Sequence, residues 1–192
     1  MDLFGIFSAF GLSASAGLNA YIPLLVIALL AKFTDLIKLN EPWNALTSWW
    51  IIGLLVVLSL IEFFADKVPA VNHINDLIQT FIRPAAGAIA FAASAKVLTD
   101  VSPLLSIGAG ILVAGTVYPV KPLWVHPVVT ATSAGAANVP VSIAEDVVST
   151  LLSILSVIVP VVIACALVMI TAYIIWRLYR RARTADARHL SV

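Results

Sequence analysis

Five stretches of this chain carry no Asp, Glu, Lys or Arg for 20 residues or more: Leu3–Ala31, Pro42–Ile61, Val101–Val120, Pro122–Ala144 and Val147–Trp176. A shorter uncharged run covers Pro84–Ala95. About 20 apolar residues span a bilayer as a helix, so five runs are long enough to cross, and a sixth is if Ile82–Leu98 is counted whole. Of 192 residues, 61% are hydrophobic and 11% charged, against about 25% charged in an ordinary soluble domain. These runs predict an all-α, polytopic helical membrane protein with five to six membrane segments. No long polar linker divides the chain, so residues 1–176 are read as one transmembrane domain, followed by a basic tail over 177–192.

Charge narrows the partners. A net charge of +1, with no basic patch outside the tail, argues against nucleic acid and leaves the lipid bilayer as the expected partner. Arg177, Arg180, Arg181, Arg183 and Arg188 place the tail in the cytoplasm by the positive-inside rule. That rule does not fix the crossing number. Six crossings put Lys67, Arg83, Lys121 and the tail arginines inside, while five put Lys32, Lys38, Lys96 and the same tail inside, eight cations either way. The single Cys165 and three scattered histidines offer no disulfide framework and no metal-ligand spacing, and no cofactor is expected. Nucleophile elbow, Walker loop and dinucleotide fingerprint are all missing, so the chain is not read as an enzyme.

Two of the runs contain breaks. Leu3 to Phe33 would extend about 45 Å as one helix at about 1.5 Å per residue, too long for a core of about 30 Å. Its middle, Gly11-Leu-Ser-Ala-Ser-Ala-Gly17-Leu-Asn19 followed by Pro23, suits a helix that stops in the membrane and restarts. Freed backbone groups are tolerated at that depth only against protein or a wet cavity. Ser15-Ala-Gly17 recurs as Ser133-Ala-Gly135, with Asn19 and Asn138 following and a proline soon after each. Two discontinuous or re-entrant helices at corresponding places suggest a weak inverted repeat, the pointer to a midplane transporter site. Tight helix crossings through small residues explain the same segments without a ligand.

The polar residues concentrate between Glu62 and Gly87. Helical periodicity predicts a short amphipathic interfacial helix over 70–83, bounded by Pro69 and Pro84, with His73, Asp76, Thr80 and Arg83 on one side. Glu62, Asp66 and Lys67 form either a structural network at a helix end or a functional site. Arg83 either clamps Asp66 or Asp76 or holds an anionic head group. His73 lies on a wet helix face or in a proton relay. Asn19 and Asn138 either satisfy broken backbone or line a polar path. Glu145 and Asp146 read as an acid pair in a helix's first turn, with Ser142 or a neighbour as cap.

Four blocks stand together in one order: Gly11-Leu-Ser-Ala-Ser-Ala-Gly-Leu-Asn-Ala-Tyr21, Glu62-Phe-Phe-Ala-Asp-Lys-Val-Pro69, Thr80-Phe-Ile-Arg-Pro84 with Gly87, and Ser142-Ile-Ala-Glu-Asp146. Over nearly its whole length the chain resembles a bacterial family of small integral membrane proteins, domain of unknown function 4126. The resemblance implies a multi-pass protein of the bacterial inner membrane and brings no activity with it. The family pattern places a basic residue shortly after the lysine matching Lys121, where this chain has Trp124 and Val125. The expected function is a transporter, flippase or channel-like protein for a small or lipid-like solute. Its candidate path or polar network is Ser15, Asn19, Glu62, Asp66, Lys67, Asp76, Arg83, Ser133, Asn138, Glu145 and Asp146. The competing expectation is an accessory or scaffold subunit, as a homo-oligomer or in a larger membrane complex, and a weaker one is a lipid-modifying enzyme.

Overall fold

The computed structural model describes residues 3–66, 69–96, 100, 102–118 and 138–189. Among these the regular structure is helical: α1 (Leu3–Leu18), α2 (Ile22–Phe33), a 3-10 turn (Trp43–Thr47), α3 (Trp49–Ala65), α4 (Pro69–Ser94), α5 (Pro103–Val117) and α6 (Asn138–His189). The chain divides into two compact units, Met1–Val157 and Ile158–Val192. The second is helical as far as His189. Everything below concerns the first.

Three of the long uncharged runs, Leu3–Ala31, Pro42–Ile61 and Val101–Val120, fold into shorter helices than their lengths suggest. The first run breaks at Asn19-Ala20-Tyr21 into α1 and α2. The second gives its first residues to the 3-10 turn, so α3 begins only at Trp49. Ser102 starts α5 by accepting the Leu105 N–H, with Pro103 at the first helical position, where its missing donor costs nothing. Among the described residues two segments, Leu77–Ser94 and Val139–Pro160, are long and apolar enough to cross a membrane. Gly5–Leu18, Ile22–Phe33, Trp49–Ala65 and Pro103–Val117 are apolar but shorter.

Two expected boundaries move. The amphipathic segment 70–83 does not end at Pro84, because α4 continues through that proline to Ser94. Proline removes one helical hydrogen bond, but the turns beyond it are locked by contact. A Cβ on Gly87 would meet the Ala114 side chain and lie 2.9 Å from the Gly110 carbonyl oxygen. One on Gly110 would run into the Gly87 carbonyl and lie 2.6 Å from the Ala88 Cα. Backbones this close gain dispersion energy over their whole length of contact, which outweighs the one bond lost. Likewise α6 already begins at Asn138 and runs through Pro160. Glu145 and Asp146 therefore stand about two turns inside it, beyond the first turn where a dipole acts.

Chain direction follows from the contacts. Gly5, near the start of α1, abuts the Ser94 carbonyl at the end of α4. Gly17, near the end of α1, abuts Val117 and Ala114 late in α5. Past the break, α2 returns to the end where α1 began, since Lys38, Asn40 and Trp43 share a notch with Ala92 and Ala93 of α4. α1 and α2 are thus a helical hairpin with its tip at Asn19–Tyr21. α3 then runs from Trp49, beside Lys32 of α2, back to the level of that tip, where Glu62 meets Ala20.

Polarity is distributed unusually. Trp50, Leu104 and Phe81 are 89%, 79% and 75% exposed, whereas Ser13, Ser15, Ser106, Ser142, Ser149 and Ser153 are fully buried. Many large apolar side chains face out, and the buried serines sit beside an alanine-rich apolar core that includes Leu12, Ile27 and Phe91.

Candidate functional site

The site forms where the hairpin tip meets α3, α4 and α6. Helix α1 ends at Leu18, leaving its last carbonyls without helical partners. α2 starts at Ile22, leaving its first N–H groups equally unserved. Asn19 solves the second problem: its Oδ1 accepts from the N–H groups of Tyr21 and Ile22 at 3.1 and 3.0 Å. Its Nδ2 donates to Asp146 Oδ1 at 3.0 Å, fixing the tip to α6. Asn19 is 1% exposed, and both ends of its amide are engaged, one with the broken backbone and one with Asp146.

Arg83 solves the first problem. Its Nη1 donates to the Gly17 carbonyl at 3.2 Å, and its Nη2 donates to Glu62 Oε1 at 2.9 Å. The Arg83 and Glu62 side chains are both wholly buried. Glu62 uses its second oxygen, Oε2, to accept the Ala20 N–H at 3.2 Å. One carboxylate therefore ties the hairpin tip to α4. Asp66, the residue that ends α3, stands 3.9 Å from Arg83. It accepts from Asn75 Nδ2 at 2.7 Å and from Ser142 Oγ at 3.5 Å. Ser142, expected as a helix cap, is inside α6 and serves Asp66 instead. The Arg83 guanidinium also lies 5.2 Å from the Tyr118 ring centre, and Tyr118 shares a hydrogen bond with Thr80 at 3.1 Å.

A ladder extends from this cluster along α1 and α6. Gly11, Ser15 and Asn19, four residues apart, fall on one helix face. Opposite them, in antiparallel order, come Ser156, then Ser153 with Ser149, then Asp146. Ser15 Oγ donates to the Ser149 carbonyl at 2.8 Å and bonds the hydroxyls of Ser149 and Ser153 at 2.8 and 2.7 Å. Ser149 Oγ returns a bond to the Ser15 carbonyl at 3.2 Å. Gly11 fits because a Cβ there would strike the Ser156 side chain. On the other face of α1, Ser13 donates to the Gly110 carbonyl at 2.9 Å.

Of the residues singled out in the sequence, the structure brings Ser15, Asn19, Glu62, Asp66, Arg83 and Asp146 into one connected network. Glu145 is beside it in sequence and half-buried. The Arg83 clamp closes on Glu62, with Asp66 a second, longer contact. Lys67 and Ser133 lie outside the described residues, as do the side chains of Asp76, His73 and Asn138. The sequence reading missed Ser149, Ser153, Asn75 and Tyr118. The serines had a visible signal, because Ser142, Ser149, Ser153 and Ser156 fall at sevens, fours and threes along one helix face. Arg83, counted above among loop cations, is buried, so it does not belong in the positive-inside tally. Among the described residues no group of three or more His, Cys, Asp or Glu is placed to hold a metal ion.

The sequence profile of the family described as Domain of unknown function (DUF4126) matches residues 6–180. No curated protein and no solved structure matches the chain.

Proposed function

The chain belongs to the DUF4126 family, whose description assigns no activity, and from its own geometry we propose a polytopic membrane protein that moves a small or lipid-like solute past the tip of the α1–α2 hairpin. The observation that carries this reading is a fully buried Glu62–Arg83 pair seated on a helix break, inside a bundle whose exterior is apolar. Ionisable residues in such an interior are expensive, and where present they mark ion or substrate paths. Discontinuous helices with freed termini are likewise the construction that transporters use for midplane sites.

Depth supports the same placement. Helix rise puts Arg83 about 16 Å from Ser94 along α4, and Glu62 about 20 Å from Trp49 along α3. Trp43, Trp49 and Trp50 crowd the end from which the hairpin enters, as indole rings do at a membrane interface. With that end at the interface, the charge cluster sits near the middle of a core of about 30 Å. α1 and α2 then enter and leave on one side, a re-entrant element, while α4 and α6 carry the segments long enough to cross. Lys32, Lys38 and Lys96 gather at the entry end, and without Arg83 in the opposing count the positive-inside rule favours that end as cytoplasmic.

In this arrangement the cluster is closed. Asn19, Glu62 and Arg83 are 0–1% exposed, so passage requires the hairpin tip to part from α3 and α6. The bonds that must break are Ala20 to Glu62 and Asn19 to Asp146, while Arg83 to Glu62 can persist. Proteoliposomes test the proposal with two probes, scrambling of a fluorescent phospholipid and dissipation of a proton gradient. The wild-type chain accelerates one of them, Asn19→Ala, which removes one of the closing bonds, raises it further, and Asp66→Asn abolishes it while the protein remains monodisperse. No acceleration of either, with the chain co-purifying on a fixed membrane partner in mild detergent, replaces the proposal with the scaffold reading.

A further inference from the structure

Helix α4 turns one face into the bundle, where the buried residues Gln79, Arg83, Ala86 and Ala90 recur at helical spacing. Two of these side chains are long and polar, yet Gln79 is 2% exposed and Arg83 0%. Each carries one buried polar atom with no hydrogen-bond partner among the described residues. In Gln79 it is the acceptor Oε1, and in Arg83 it is the donor Nε–H. The other Arg83 nitrogens are engaged, Nη1 with Gly17 and Nη2 with Glu62. An orphaned buried group has lost its hydration with nothing in return, and the loss is heavier for a charged donor in a surrounding of low dielectric.

The two orphans are complementary and stand one helical turn apart. A donor and an acceptor so placed would pair directly if they met, and they do not. We propose that an internal water molecule is bound between them, accepting from Arg83 Nε–H and donating to Gln79 Oε1. Water inside proteins serves polar groups left without partners, and takes about two to four of them. A third neighbour is at hand: the Tyr21 hydroxyl, at the hairpin tip, stands by the Gln79 amide and in the fields of Glu62 and Arg83. An anion in this place would meet the Gln79 oxygen and lie near Glu62, whose carboxylate is 2.9 Å from Arg83 Nη2. A cation would meet the guanidinium itself. A neutral molecule that both donates and accepts suits both atoms. The water completes the hydrogen bonding of Arg83 on its third side, with Gly17 and Glu62 on the other two, and so steadies the clamp on the hairpin tip. This inference rests on burial and hydrogen bonding alone and not on passage of a solute past the tip.

Crystals of the full-length protein, at a resolution that shows ordered solvent, should have a water peak bonded to both Arg83 Nε and Gln79 Oε1. An empty gap, an ion in that place, or a direct bond between Gln79 and Arg83 overturns the inference. Stability gives a second reading that needs no crystals. Tyr21→Phe removes the hydroxyl beside Gln79, so in that background Gln79→Met tests the water alone. With the water bound, Gln79→Met lowers the thermal unfolding midpoint in micelles by about 2–4 °C, the scale of one lost hydrogen bond in a chain of this length. With the gap dry, the same substitution deletes an unserved acceptor and loses nothing. A midpoint that is unchanged or raised therefore overturns the inference.

Discussion

Removing Arg83 alone and removing it together with the charge on Glu62 should have opposite consequences. Arg83→Met keeps the apolar stem that fills the interior but deletes the fork that serves Gly17, Glu62 and Asp66. Glu62 is then left buried with no counter-charge, and breaking a buried pair in this way costs about 3–5 kcal/mol. Adding Glu62→Gln removes the stranded charge while leaving a carbonyl oxygen to accept the Ala20 N–H. What remains is the unserved Gly17 carbonyl, a loss of about 1 kcal/mol on the scale of a single hydrogen bond, and the lost 3.9 Å contact to Asp66, which keeps its bonds from Asn75 and Ser142. The double variant should therefore be more stable than Arg83→Met, by about 2 kcal/mol or more. Reversible unfolding in mixed micelles, followed by circular dichroism across a denaturant series, gives all the corners of this double-mutant cycle. The reasoning fails if Arg83→Met costs less than about 1 kcal/mol, or if the two substitutions simply add.

Other outcomes follow from single contacts. Gly110→Ala must push α5 off α4 at Gly87 and should cost about 1–3 kcal/mol as overpacking does. Gly108→Ala, whose Cβ would meet nothing within 4 Å, should gain a few tenths to about 1 kcal/mol from lower backbone entropy in the unfolded chain; unfolding in micelles separates the two. Asn19→Asp turns the donor facing Asp146 into a second carboxylate and should destabilise the hairpin tip by about 2 kcal/mol. Adding Asp146→Asn restores one donor and one acceptor across the same gap, and thermal unfolding should recover most of the loss. Ser15→Val should cost about 1–3 kcal/mol, because it crowds α1 against α6 as overpacking does and removes the Ser15 hydroxyl's bonds, while Ser149 and Ser153 keep theirs to the Ser15 and Ser149 carbonyls; the same assay reads it.

How much was legible in the sequence depended on the kind of signal. The break in the first run was readable because Gly17, Asn19 and Pro23 each disfavour a continuous helix for a separate backbone reason. Glu62, Asp66 and Arg83 stood out because charge is scarce in this chain, and their pairing followed from scarcity of partners. The identity of the pair did not follow: Asp66 or Asp76 was the expected partner, whereas Glu62, four residues before Asp66 and on the same helix face, takes Arg83. The rule that a proline ends a helix misplaced the end of α4. That rule weighs local hydrogen bonding, whereas the contact of Gly87 with Gly110 is set by two segments distant in sequence. Glu145 and Asp146 were misplaced for the converse reason: the helix already includes Asn138, and the uncharged residues between carry no charge pattern to show it.

The account turns on the α1–α2 hairpin entering and leaving the membrane on one side, with its tip locked on Glu62 and Arg83. Site-directed thiol labelling in sealed, oriented vesicles tests this directly. In a Cys165→Ser background, a cysteine at Asn40 and a protease-cleavable tag at the N-terminus should be reached by impermeant reagents from the same side. A cysteine at Asn75, beyond the tip, should be reached from the opposite side. Labelling of Asn40 from the side opposite the N-terminal tag would mean that α1 and α2 together traverse the bilayer, and would contradict the hairpin and the site built on it.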